Sequence, residues 1–231
     1  MQNAFAGGGT FFTLPALMLT GMDARAANIT STLALFPAQA ATGFTGRQNV
    51  SGAANLSLAH LVAISLLGGI AGAALLLVTP SDFFARLVPW LVLFATIVFA
   101  WGSFFRAEKT KSHLGGLGVG VTQFFISVYG GYFGAGIGFL MLAALSAAGL
   151  AVRRAAATKN VLAAVMNASA VAIFVFSPAV HWLQAAICCA GAVIGGIAGG
   201  LLLTRINEKA LRIAVVVIGA GLTVGLFLHA P

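Results

Sequence analysis

The chain has 231 residues, 60% of them apolar and only 7% Asp, Glu, Lys or Arg, against about 25% charged in an ordinary soluble domain. Its 12 basic and 4 acidic side chains cannot cover a water-facing surface, and disorder requires low hydrophobicity, so both classes are excluded in favour of an integral membrane protein. The net charge of +8 is carried by loops between apolar runs, where it sets topology rather than marking a nucleic-acid partner.

The apolar runs are continuous and do not alternate in segments of about ten residues, so a β-barrel is excluded. Each run suits an α-helix crossing about 30 Å of hydrocarbon. The fold class is therefore all-α, a polytopic transmembrane bundle of about eight helices. In chain order, a Gly-rich segment Ala4–Thr20 ends at Gly21-Met22-Asp23. Helices are expected over Ala26–Phe44, Leu56–Val78 and Phe83–Phe105, separated by Gly46-Arg47-Gln48-Asn49 and Thr79-Pro80-Ser81-Asp82. After Arg106–Lys111 comes one long apolar stretch, His113–Leu150. The remaining helices are Ala155–Phe176, Trp182–Thr204 and Ala210–His229. No Lys or Arg precedes Arg25, so no cleavable signal peptide is expected.

The sequence repeats at a fixed offset. A shift of 128 aligns Gly8 with Gly136, Leu14 with Leu142, Gly21 with Gly149, Arg25 with Arg153 and Thr30 with Thr158. A shift of 127 superposes Gly68-Gly69-Ile70-Ala71-Gly72 on Gly195-Gly196-Ile197-Ala198-Gly199. Two homologous halves are expected, 1–112 and 113–231, an arrangement characteristic of secondary transporters.

The His113–Leu150 stretch would be about 57 Å long as one helix, too long for the bilayer. Its centre, Tyr129–Gly138, has five glycines in ten residues, which predicts a helix break. If the chain returns there to the side it came from, Arg25 and Arg86 lie on one face and the other ten basic residues on the opposite one. That is the stronger positive-inside bias, and it inverts one half relative to the other.

Broken helices expose backbone N–H groups at the positive end of a helix dipole, an arrangement that favours anions. Gly7, Gly8 and Gly9, with their counterparts Gly134, Gly136 and Gly138, are the candidate donors. Hydrogen-bonding stripes follow each break: Asn28, Thr30 and Gln39 in the first half, Thr158, Asn160 and Asn167 in the second. The competing explanations are tight glycine packing and interhelical hydrogen bonding, and packing is the expectation for Gly68/Gly69/Gly72 and Gly195/Gly196/Gly199. Lys159 is expected to snorkel to the interface. All four acidic residues fall at loops, so a proton relay or a carboxylate cation site is not supported. Cys188 and Cys189 read as small apolar packing residues, and the histidines read as interfacial. No metal spacing, nucleophile arrangement or P-loop occurs; no cofactor, metal or enzymatic activity is expected.

The run Ala6-Gly7-Gly8-Gly9-Thr10-Phe11-Phe12-Thr13-Leu14-Pro15-Ala16-Leu17, followed by Gly21 and Ala27-Asn28-Ile29-Thr30-Ser31-Thr32, resembles the first repeat of the TauE/SafE family of sulfite exporter-like permeases. Gly131 through Thr158-Lys159-Asn160 resembles its second repeat. The resemblance implies a multi-pass permease of a bacterial inner membrane whose partners are membrane lipid and a small inorganic or organosulfur anion such as sulfite, a sulfonate or thiosulfate. It also implies an apolar half-helix ahead of the glycine triplet, so the first repeat is expected to lack its initial half-helix here. A non-transporting membrane assembly factor or chaperone is the alternative function. Oligomeric state, coupling ion and direction of transport are left open.

Overall fold

The computed structural model describes residues 9–104, 115–202 and 208–228. Among these residues there are nine α-helices and no strand. They are α1 (Thr10–Leu19), α2 (Ala24–Gly46), α3 (Leu58–Val78), α4 (Ser81–Phe104), α5 (Gly116–Tyr132), α6 (Ile137–Ala147), α7 (Val152–Phe174), α8 (Trp182–Leu202) and α9 (Glu208–Leu228). The fold is an all-α transmembrane bundle. By length and composition α3, α4 and α7 can each cross a membrane. Large apolar side chains such as Trp90, Phe125 and Ile194 point outward and are exposed, as a lipid-facing surface requires.

Local chemistry explains the boundaries. Asp23 caps α2, its carboxylate accepting from Arg25 N at 3.0 Å and Ala26 N at 3.1 Å, which satisfies two N–H groups the first turn cannot. Ser57 caps α3 in the same manner. The long central stretch divides, as its glycines predict, into α5 and α6. Residues 133–136 separate the two helices, and Gly134 and Gly136 adopt φ +82° and +76°. That left-handed conformation costs an L side chain roughly 1–2 kcal/mol, so glycine is what lets the chain leave one helix and start another here. The Tyr129 hydroxyl donates to Ala135 O at 2.9 Å and holds the connection in place.

The interior is organised by close helix pairs. On α3, a Cβ added to Gly68 would lie 2.6 Å from Ser127 Cβ and 2.8 Å from Phe124 O. One on Gly72 would run into Val128 O, and one on Gly131 into Gly69 O. The α3 and α5 backbones therefore touch, in the small-residue packing that stabilises helix pairs in lipid. The expected counterpart at Gly195 is different: a Cβ there would meet nothing within 4 Å.

The 23-residue helices α2 and α7 form the centre and run antiparallel. The α2 C-terminal half meets the α7 N-terminal half, since a Cβ on Gly43 would fall 2.7 Å from Ala164 Cβ and 3.2 Å from Asn160 O. At the other end the backbone N–H of His181, just past α7, donates to Thr30 Oγ1 at 3.2 Å. A shift of 128 carries Ala24 and Gly46, the ends of α2, onto Val152 and Phe174, the ends of α7. Helices α1 and α6, of 10 and 11 residues, reach only about half the hydrocarbon thickness.

Candidate functional site

Helix α6 begins directly after the break, and its N-cap Gly136 supplies no side-chain hydrogen bond. The first-turn N–H groups of Ile137 and Gly138 are among those an α-helix leaves without an i−4 acceptor. This N-terminus opens onto a small cleft lined by Gln39 and Thr42 of α2, Ile137 and Gly138 of α6, and Lys159, Asn160 and Ala163 of α7. The cavity is about 20 Å³, room for about one water. Lys159 is only 2% exposed, so it does not snorkel to the interface as its nearness to Arg154 suggests. Its side chain belongs to the interior of the bundle, where α2 crosses α7. A buried cation is costly in hydrocarbon and marks function by default.

Gln39 and Lys159 each lie four residues from the midpoint of their helix, on the half that faces the partner. Both line the same small cavity, beside the close approach of Gly43 to Asn160 and Ala164. Gln39 Oε1 is buried without a hydrogen-bond partner.

Of the twelve residues the sequence nominates, the cleft gathers Gln39, Gly138 and Asn160. Gly134 and Gly136 shape the break that aims α6 at it. Asn28, 1% exposed, donates through Nδ2 to Tyr132 O at 3.0 Å. Thr30 accepts the His181 N–H, and Thr158 Oγ1 holds Ser51, accepting from its N at 3.1 Å and donating to its O at 3.2 Å. Asn167 Nδ2 donates to Ala163 O of its own helix at 3.0 Å. These four engage neighbouring backbone and do not line the cleft. Gly7 and Gly8 lie outside the described residues.

Gly9 is the N-cap of α1 in right-handed geometry, φ −60° and ψ −36°, so this position does not use the conformational freedom of glycine. Its carbonyl accepts from Phe12 N, Thr13 N and Thr13 Oγ1, each at 3.1 Å. Thr13 Oγ1 also bonds Ser31 Oγ. Ser31 aligns with Lys159 under the same shift, so a hydroxyl pair at the α1 N-terminus takes the place that the lysine holds at α6. A cavity against α1, about 10 Å³, is apolar and lined by Thr10, Phe11, Leu14 and Phe133 among others. Phe133 and Ala135 of the second break also line this apolar cavity, so the start of α1 and the 133–136 connection meet there, apart from the Lys159 cleft.

Lys159 and Thr42 are the polar cleft residues the nominated set lacks. The sequence does carry a signal for Lys159, a lone lysine in an apolar run, but its distance from Arg154 reads equally as an interfacial position. Thr42 is one of several threonines along α2, with Thr30, Thr32 and Thr45, and gives no separate signal.

Comparison with known proteins places this chain in a family of transporters. A probable membrane transporter protein of Haemophilus influenzae is 28% identical over 225 residues, covering 96% of this chain and 87% of that protein. The probable membrane transporter protein YfcA of Escherichia coli K12 is 26% identical over 221 residues, covering 94% and 81%. No solved structure matches the chain. The family model for the sulfite exporter TauE/SafE matches residues 1–226, and the chain belongs to this family of membrane transporters.

Proposed function

We propose that the protein is a secondary permease carrying a small anion, a sulfur oxyanion or a sulfonate, across the bacterial inner membrane. The observation that carries this reading is the cleft in which the α6 N-terminus, Lys159, Asn160 and Gln39 converge. Its donors are of the kind an oxyanion uses: an ammonium, carboxamide N–H groups and backbone N–H groups at a positive dipole end. Hydrogen bonds to a charged partner contribute about 1.5–3 kcal/mol each, enough to offset part of the dehydration of a small anion.

The cavity is smaller than any such anion, so the arrangement is a closed one, and transport requires the halves 1–112 and 113–231 to move relative to each other. Rocking about the antiparallel α2–α7 pair would open the cleft first to one side and then to the other, the mechanism associated with inverted repeats.

A thermal-shift screen in detergent with sulfite, thiosulfate, short sulfonates, sulfate and chloride tests the reading, because a ligand that binds the folded state raises its melting temperature by mass action. Selective stabilisation by a sulfur anion, lost in Lys159→Gln, is the expected outcome. Equal and negligible shifts for every anion, together with no flux in proteoliposomes, would refute it.

A further inference from the structure

At the far end of α2, about 16 Å (Asn28) to 21 Å (Arg25) from Gln39 at 1.5 Å per residue, a second group of polar side chains ties three helices together. Arg25 Nη1 donates to Thr79 O at 2.9 Å and to Leu77 O at 3.3 Å, closing the C-terminal end of α3. One turn on, Asn28 Nδ2 donates to Tyr132 O, the last residue of α5. The Tyr132 hydroxyl reaches back to Thr79 Oγ1 at 3.5 Å, and the Phe84 ring packs edge-on against Tyr132 with centroids 5.5 Å apart. The start of α2 thus fastens the ends of α3 and α5 immediately before the break that shapes the cleft.

The network leaves two of its own atoms unanswered. Arg25 Nε and Asn28 Oδ1 are both buried with no hydrogen-bond partner. A buried polar group left unpaired is costly and calls for an explanation. Here the two orphans are complementary, one a donor and one an acceptor. They stand three residues apart, and so on one face of α2. The Asn28 side chain leans toward the helix N-terminus, where Arg25 lies.

We infer that Arg25 is a two-position fastener. In the position observed it holds the carbonyls of Leu77 and Thr79. In the second, its Nε–H donates to Asn28 Oδ1, the end of α3 is released to water together with Thr79, and the break at 133–136 is uncovered from the Asp23 end of the bundle. Each position satisfies groups the other leaves bare, which is the property a bistable element needs. The fastener serves as the gate opposite the Lys159 cleft; that purpose rests on the permease reading, whereas the switch itself does not.

The test uses the full chain with Cys188→Ala and Cys189→Ala and a reporter, Ala135→Cys, in the buried break. A control reporter, Ala144→Cys, sits in α6. Labelling by a membrane-impermeant maleimide is followed in detergent. Asn28→Asp gives Arg25 a charged partner on its own helix and pulls it from α3, and it is read against Asn28→Leu, which likewise loses the donor to Tyr132 O but offers Arg25 no acceptor; Arg25→Gln removes the hold directly. Asn28→Asp, measured against Asn28→Leu, and Arg25→Gln are both expected to speed labelling of the Ala135→Cys reporter roughly tenfold, the scale of a typical coupling between two conformations, with the control unchanged. Unchanged labelling in a folded variant, or an equal rise at the control, overturns the inference.

Should neither variant fold, hydrogen exchange of the unsubstituted protein decides the matter. Segments 75–80 and 132–136 opening at matched rates supports the fastener, and one exchanging while the other stays protected overturns it. Labelling as expected without anion binding keeps the fastener and removes the permease reading; anion binding with unresponsive labelling does the reverse.

Discussion

Gly21 and Gly149, aligned by the shift of 128, share one backbone conformation, with φ +86° and +89°. Each follows a residue of matching geometry, Thr20 at φ −80°, ψ 6° and Ala148 at φ −79°, ψ 4°. Each donates to the carbonyl three residues back, Met18 at 3.0 Å and Ser146 at 2.9 Å. The same left-handed cap ends both half-span helices and turns the chain into α2 or α7. A Cβ on Gly21 would meet nothing within 4 Å, so the constraint there is backbone conformation and not space.

Gly21→Ala and Gly149→Ala are accordingly expected to destabilise the protein by similar amounts, about 1–2 kcal/mol each, the cost of an L residue in left-handed geometry. The two sites share no contact, and their effects should add in the double variant to within about 0.5 kcal/mol. Chemical denaturation in mild detergent measures this, and strongly unequal effects would mean that the two caps do different jobs.

The glycines of α3 should behave otherwise. Gly72→Ala drives a methyl into the Val128 carbonyl and the Tyr132 backbone, and overpacking of this kind costs about 1–3 kcal/mol. Gly191→Ala on α8, where nothing lies within 4 Å, should be neutral or stabilising by up to about 1 kcal/mol through helix propensity. A melting temperature that falls as far for Gly191→Ala as for Gly72→Ala would contradict the packing described.

Polar residues of α2 and α7 divide into two groups with opposite expected phenotypes. Lys159→Gln and Asn160→Leu should lower anion flux roughly tenfold or more while the protein stays folded, the loss of one charge-assisted hydrogen bond being worth about 1.5–3 kcal/mol. Thr30→Val and Thr158→Val remove hydrogen bonds to His181 and Ser51 and should cost about 1 kcal/mol of stability with flux near that of the native protein. Proteoliposome flux measured beside melting temperature separates the two groups.

Gln123 provides a test of buried polarity. Its Nε2 donates to Ser65 Oγ at 2.8 Å and Ser127 Oγ at 3.2 Å, yet its Oε1 is buried with no partner. Gln123→Leu removes two hydrogen bonds and one unsatisfied acceptor together, so the net change in stability should stay within about 1 kcal/mol. A loss several times larger would show that the carboxamide does more than join α3 to α5.

Amino-acid order alone determined the class of this protein and the site of its break. Sustained hydropathy along each run and the cluster of glycines between Tyr129 and Gly138 are local properties, and they act the same way whatever the rest of the chain does. The matched caps at Gly21 and Gly149 lie 128 residues apart, the offset at which the sequence matches itself. Which polar groups would meet was decided only by the tertiary structure. Asn28, Thr30, Gln39 and Thr158 carry similar hydrogen-bonding groups, and nothing in their spacing tells a side chain that will bond a neighbouring backbone from one that will line a cleft. Lys159 is buried because α2 crosses α7 antiparallel at that level, and Gln39 joins it for the same reason. Burial and partnership come from packing between segments far apart in the chain, and no window along the sequence contains that information.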